Sequence, residues 1–427
     1  MRRLHCFWLA LAVVLLALPA PAQTLQPSAN RGRVWYVSQA SGSNRNDGTR
    51  ESPLKNIQKA VDLAASGDVV YVAEGNYYGL LNCGYIKINK GVSIIGGYAD
   101  DFSERDFLKH RTYIQPTAAS NGTAQGQGTV QINVLQAGTL VELDGLIMDR
   151  GNSVAYDPRG EGQPAGVETA MMCPIGTAGS GAPGVPEDQI HTVETAIVSI
   201  NTGSRCDVTI RNCAFLNGPY YGLVSSTFGA TVTVDNCLFV NLRMAAVELR
   251  GASATQNSRT VFTRNTVLFS WTRLRDLNDM GYGYRYMPRN DTKFDRNIVG
   301  CSVFAGLDRT HVDNPPAKEA ERVTTCENSL FFLNRRADLV LPGGGTFLRV
   351  RVDDFEDVEQ LAEVSGNKAV DDPEVLFGGA INDAYLKGFR KATAEQPVVR
   401  MFANHYPVED ALKLFGAVEG YGAQKPE

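Results

Sequence analysis

The chain has 427 residues, 43% of them hydrophobic and 20% charged, with 42 glycines and a formal net charge of −5. That balance leaves no cationic excess to neutralise phosphates, which excludes nucleic acid as the main partner. Beyond the N-terminal segment no run is long and apolar enough to span a bilayer, so no membrane span is expected.

Residues 1–22 read as a signal peptide. Arg2 and Arg3 give a positive start, an apolar run follows from Phe7 to Leu18, and Ala20-Pro-Ala22 is a small-residue cleavage site. Cys6 sits in the charged start rather than at the cleavage point, so no lipid anchor is expected. The expected product is an exported bacterial protein, periplasmic, cell-surface or extracellular, and a monomer. Seven cysteines remain after cleavage, an odd number that leaves at least one thiol free. No C-x-x-C pair or His/Cys cluster suggests a metal centre.

Val34-Trp-Tyr-Val37 reads as a strand, and Gly42 to Arg50 as a turn-rich stretch. Ser52 and Pro53 suggest an N-cap and first helical residue, with Leu54, Ile57, Val61 and Ala64 at helical spacing. Gly67-Asp68 stops the helix, and Val69-Val-Tyr-Val72 is the next strand. Further on, Val141-Glu-Leu-Asp144-Gly is a strand running into a bend. Residues 152–189, rich in Gly and Pro, form a long insertion and a candidate lid.

A phrase then recurs: Val208-Thr-Ile-Arg-Asn212-Cys-Ala-Phe215, Val232-Thr-Val-Asp-Asn236-Cys-Leu-Phe239, Val261-Phe-Thr-Arg-Asn265, Lys293-Phe-Asp-Arg-Asn297 and Val323-Thr-Thr-Cys-Glu-Asn328. The spacings between these Asn residues are 24, 29, 32 and 31. Strand-forming repeats of this length imply a coil with one turn per repeat. Parallel turns stack about 4.8 Å apart. An Asn at each bend can bond the Asn above and below and tolerates the left-handed backbone of a sharp corner. Inward positions stack like on like, Phe215 on Phe239 and Ile210 on Val234, and Cys213 and Cys237 form a buried stack rather than a disulfide.

Trp35-Tyr-Val-Ser38, Asn46-Asp-Gly-Thr49, Ser52-Pro-Leu-Lys-Asn-Ile-Gln-Lys-Ala-Val61, Gly67-Asp-Val-Val-Tyr-Val-Ala73 and Gly91-Val-Ser-Ile-Ile-Gly-Gly-Tyr98 resemble the opening of secreted right-handed parallel β-helix proteins of the pectate-lyase-like superfamily. The resemblance covers roughly Val34 to Leu341. It implies an all-β solenoid with an N-terminal capping helix. It does not choose among lyase, hydrolase, epimerase and adhesive module, all of which occur in that superfamily. The expected organisation is a coil over 23–345 and a partly helical extension over 346–427. Candidate helices in the extension are Asp354–Ala362, Asn382–Phe389 and Val408–Phe415, folding back over the second open end, because an uncapped coil exposes unpaired backbone.

The strand after each Phe-bearing segment forms an elongated face. Alternation places Val247 and Leu249 inward and Glu248 and Arg250 outward. Residues 271–290 interrupt the repeat with three Tyr, one Trp and four Arg. Aromatic rings stack on sugar faces and guanidinium groups clamp carboxylates, so the suggested partner is a carboxylate-bearing carbohydrate polymer. Elimination from a uronic acid needs a carboxylate neutraliser, a base and a proton donor. The candidate catalytic residues are Arg250, Arg285 and Tyr284, with His311 as a second-choice base. Candidate substrate-binding residues are Glu248, Trp271, Arg273, Tyr282, Tyr286 and Asp308. No cofactor is fixed by the sequence; Ca²⁺ is the one this chemistry admits. The Trp-x-Asp-His run of pectate lyases and the clustered Asp motifs of polygalacturonase-type hydrolases are both missing. Two readings therefore stay open: a polysaccharide lyase or epimerase, and a non-catalytic surface or adhesive solenoid.

Overall fold

The computed structural model describes residues 32–80, 84–115, 129–150, 172–174, 196–203, 205–218, 220–271, 281–310, 324–343, 346–358, 361, 363–395, 401–403 and 405–426. The signal segment, nearly all of the 152–189 insertion, Arg273 and His311 lie outside these residues.

Among the described residues three long sheets run side by side along the chain, with ten, nine and nine strands, all parallel except for one edge strand of the third. One turn shows how each is fed. Cys206–Arg211 enters the first sheet, Ala214–Gly218 the second and Leu223–Thr227 the third, before Thr231–Asp235 returns to the first. This is a right-handed parallel β-helix: the repeat predicts its stacked coil, and the resemblance implies its hand. Its inward positions are columns of like residues. Ile210, Val234, Phe262 and Phe294 stack in the first sheet. In the second, Phe215 lies flat on Phe239 with ring centres 4.4 Å apart. Val247, Tyr284 and Leu307 stack in the third. Near-continuous apolar columns are what a parallel sheet buried from within requires.

The corners carry the left-handed residues. At the bend between the first and second sheets these are Asn212, Asn236, Arg264, Arg296 and Asn328, with φ of 53°, 58°, 52°, 54° and 45°. The expected ladder therefore holds for Asn212 and Asn236, whose side chains bond at 2.7 Å, slips by one residue over the next two turns, and returns to the corner with Asn328. Asn265 and Asn297 stand in the next column, in line with Cys237. Asn265 Oδ1 accepts from the Cys237 backbone N–H (2.9 Å), and Asn297 Oδ1 accepts from that of Asn265 (2.8 Å). At these turns Arg takes the strained corner, and the Asn amide satisfies buried backbone one position later. A second amide ladder runs Asp149–Asn217–Asn241, at 2.8 and 2.6 Å, on the following corner. Among the described cysteines, Cys206, Cys213, Cys237, Cys301 and Cys326 are all buried and free.

Helix α1 (Ile57–Leu63) closes the N-terminal end, burying Ile57, Ala60 and Val61 on the coil's core. It starts later than Ser52-Pro53 suggests, because Leu54 is taken up by a bridge to Val37. At the other end, a 3₁₀ turn over Val352–Asp357 replaces the helix expected at 354–362. It inserts Val352 and Phe355 into the same core. Glu363–Ser365 and Lys368–Ala369 add a last partial rung.

Beyond this turn and rung, the described helices of the tail lie along the side of the coil. Helices α2 (Pro373–Leu376), α3 (Asp383–Glu395) and α4 (Val408–Leu412) pack along the outside of the second sheet. The reason is visible in the strands: Ala214, Leu216, Leu238, Val240 and Leu268 face outward there and need cover, which Tyr385, Phe389, Tyr406 and Phe415 supply. Corner amides fasten this strap. Asn217 donates to the Tyr406 carbonyl (3.1 Å) and accepts from its N–H (2.7 Å). Asn236 grips Gln424 in the same two-point manner. Asp372 caps α2, its carboxylate accepting from the Val375 backbone N–H at 3.1 Å. Among the described residues no helix is long and apolar enough to cross a membrane.

Candidate functional site

The outward face of the third sheet is a grid set by strand register. One row runs Lys87, Gln131, Ser199, Val224, Glu248, Arg285, Asp308 and Val340. A second row runs Asn133, Asn201, Ser226 and Arg250. In-register parallel pairing makes neighbours in a row about 4.8 Å apart. The alternation that put Glu248 and Arg250 outward agrees with this register.

At the centre of the grid lies a buried ion cluster. Arg285 donates from Nε to Asp308 Oδ2 and from NH1 to Glu248 Oε2, both at 2.8 Å. The three side chains are 4%, 1% and 1% exposed. Glu248 also pairs with Arg250, whose side chain is 46% exposed. Thr310 holds the far side of Asp308, donating from its N–H (2.8 Å) and hydroxyl (2.6 Å). Burial alone would depress the Arg285 guanidinium; Asp308 and then Glu248 more than offset it and keep it charged. Tyr221 stands beside Glu248, and burial followed by that carboxylate pushes its hydroxyl well above the ordinary phenol range. Arg285 also lies 5.2 Å from the centre of the Tyr282 ring. Tyr282, Tyr221, Phe304 and Ala245 form an apolar border to the cluster.

The sequence candidates divide accordingly. Glu248, Arg250, Arg285, Asp308 and Tyr282 come together on this face. Tyr284 and Tyr286 do not: both are buried in the interior column with Phe294. Because Tyr284 pairs with Val247 and Tyr286 with Leu249, they share the inward parity of those residues. A proton-transfer role for Tyr284 at this face is therefore removed, as is direct sugar contact for Tyr286. Trp271 is also displaced. It lies fully buried on the flank of the second sheet against Phe389 of α3, with ring centres 5.2 Å apart. Tyr221 was missed by sequence reasoning, although Tyr220-Tyr-Gly222 precedes its strand as Gly281-Tyr-Gly283 begins the strand of Tyr282. Among the described residues no His/Cys/Asp/Glu group is arranged to hold a metal ion, since Arg285 separates the two carboxylates.

Residues 40–156 match a family described as "Protein of unknown function (DUF1565)". No curated protein matches the sequence. Solved structures that match the chain include a glycoside hydrolase at 8% identity and TM-score 0.33, covering 79% of this chain and 96% of that one. A rhamnogalacturonan lyase matches at 12% identity and TM-score 0.28, covering 70% and 73%. A lacto-N-biosidase from Eubacterium ramulus matches at 11% identity and TM-score 0.27, covering 79% and 67%. The architecture itself stands on the three sheets: the chain is a right-handed parallel β-helix.

Proposed function

We propose that the outer face of the third sheet binds a carbohydrate polymer that carries carboxylates, and that the protein holds this polymer rather than cleaving it. One observation carries the reading: the register lines up Asn133, Asn201, Ser226 and Arg250 in a single row beside the buried acid–base cluster. Asn and Ser each offer donor and acceptor groups, which suits sugar hydroxyls. Asn201 and Arg250 are exposed. Arg250 is anchored through Glu248 and retains donors for a ligand carboxylate. The parallel rungs repeat these groups along the coil, as an extended chain ligand requires.

Cleavage has weaker support. Elimination needs a cation on the substrate carboxylate and a base that can reach the neighbouring C–H. Arg285 is engaged by Glu248 and Asp308, and Tyr284 lies inside the coil. The non-catalytic solenoid, exported by its N-terminal segment and acting as a monomer, is therefore the preferred form of the proposal.

The test is calorimetric titration of polygalacturonate, alginate and a neutral xylan, each with and without Ca²⁺, while absorbance is followed for unsaturated uronates. Binding of an acidic polymer, weakened about tenfold in Arg250→Gln through loss of one charge-assisted contact, is expected. Absorbance that grows with time would overturn the non-cleaving form. Absence of binding to every polymer would overturn the face itself.

A further inference from the structure

The last rung of the third sheet carries two arginines that differ from the rest of this face. Strand Thr346–Val350 adds antiparallel to Ala337–Gly343, pairing Arg349 with Val340. Directly opposite residues share a face, so Arg349 extends the row that runs through Glu248, Arg285 and Asp308. Arg336 immediately precedes the neighbouring strand, and its N–H donates to the Phe304 carbonyl at 2.9 Å. Both guanidinium groups lie over one ring: Arg336 is 5.1 Å and Arg349 5.9 Å from the centre of Phe304.

Other arginines nearby have acids. Arg285 has Glu248 and Asp308, Arg351 lies 3.9 Å from Asp338, and Arg390 pairs with Glu374. Among the described residues neither Arg336 nor Arg349 pairs with a carboxylate. Burial, and then the charge of Arg349, hold the Arg336 guanidinium below its ordinary value. Two like charges over a single aromatic ring repel, and an anion placed between them relieves that repulsion and forms charge-assisted bonds to both. Phe347 stands two residues from Arg349 on the same face and is 48% exposed. It offers an apolar plane beside the cations, suited to the C–H face of a sugar ring.

We propose that Arg336 and Arg349, seated on Phe304 and flanked by Phe347, bind one anionic substituent of a saccharide, a carboxylate or a sulfate ester. This rests on the saccharide-face reading above, and it puts a charged subsite at the end of the face remote from the N-terminal cap.

Two measurements on the full chain test it. In the first, thermal unfolding is followed in sodium sulfate and in sodium chloride at equal ionic strength. The proteins are the wild type, R336Q/R349Q, the single variant R349Q at the more exposed position, and R259Q as a control on the first sheet. Sulfate stabilises folded proteins generally, so the readout is the difference between variants. The expected result is a sulfate shift of several degrees in the wild type and R259Q, at least halved in R336Q/R349Q and reduced in R349Q. An equal shift in all four proteins would sink the arginine site.

In the second, dextran sulfate, dextran, polygalacturonate and its methyl ester are titrated. R336Q/R349Q should weaken the charged polymers about tenfold and leave the neutral ones unchanged. The charged polymer that the wild type prefers identifies sulfate ester or carboxylate. A wild type that binds none of the four while keeping its sulfate shift would sink the saccharide face and not the arginine pair. Equal weakening of charged and neutral polymers would overturn the anion assignment.

Discussion

Removing Glu248 is the most informative single perturbation of the outer face. Its side chain is 1% exposed and accepts from Arg285, which is 4% exposed, at 2.8 Å. Glu248→Ala leaves Arg285 buried with Asp308 alone and leaves an emptied space beside Tyr221. Breaking a buried ion pair from one side costs about 3–5 kcal/mol. Asp308 survives as a partner, so the expected loss lies at the low end, about 3 kcal/mol. Arg250→Ala removes the half-exposed partner of the same carboxylate and should cost under about 1 kcal/mol. Replacing the whole trio, as E248L/R285M/D308L, should be far milder than Glu248→Ala, because no buried charge is then left unpaired. The assay is urea unfolding at fixed pH and ionic strength. The slope of the transition must be compared as well as the midpoint, since a coil of stacked turns can lose all-or-none behaviour. If Glu248→Ala and Arg250→Ala cost the same, within about 1 kcal/mol, water reaches the cluster and the reasoning from burial fails. A trio replacement that keeps stability but abolishes polymer binding would show that the charges serve the ligand.

Further outcomes follow from the corners, the core and the strap. Asn236 has φ of 58° and bonds both Asn212 and Gln424. Asn236→Ala should therefore cost about 2–3 kcal/mol and Asn236→Gly about 1 kcal/mol less, because glycine adopts that backbone freely; the reverse order in urea midpoints would refute the strained-corner account. Phe239 stacks on Phe215 at 4.4 Å and meets Phe262 at 5.8 Å, so Phe239→Ala should cost about 3–5 kcal/mol by the same measurement. His405 bonds Asp149 at 3.2 Å, and that carboxylate raises its imidazole above the ordinary value against the opposing effect of burial. The folded state thus favours the protonated ring. The contribution is complete below about pH 6.5 and is lost as pH rises through the raised folded value. Limited proteolysis of the strap should be slower near pH 6 than near pH 8, and His405→Gln should abolish the difference; a strap equally resistant at both pH values in the wild type would argue against it.

What the sequence disclosed, and what it hid, follows from the physics of the coil. Inward parity was legible wherever a strand alternated cleanly, as at Val247-Glu-Leu-Arg250, because one buried face enforces period two. The corner was legible to within one residue. A bend needs a left-handed residue and a buried amide, and the chain places both on one Asn at Asn212 and Asn236 but divides them between Arg264 and Asn265. No local pattern distinguishes the two arrangements. Tyr282-Gly-Tyr-Arg-Tyr286 was misread as one display surface for a related reason: its aromatics fall on both faces. Alternation sets Arg285 opposite Tyr284 and Tyr286, but the cross-strand register, Val247 with Tyr284 and Glu248 with Arg285, is what identifies the rings as inward and the cation as outward. The arginine pair at the last rung was hidden further still. It forms when an antiparallel edge strand folds Arg349 back beside Arg336 over Phe304, which lies 32 positions before Arg336 and 45 before Arg349. In a solenoid, interior columns repeat in sequence and can be read there. The outer face is assembled from residues at irregular separations, because inserted loops of unequal length set the spacing between turns. Chemistry on that face is therefore encoded in register, and register has to be seen in three dimensions before a ligand can be argued from it.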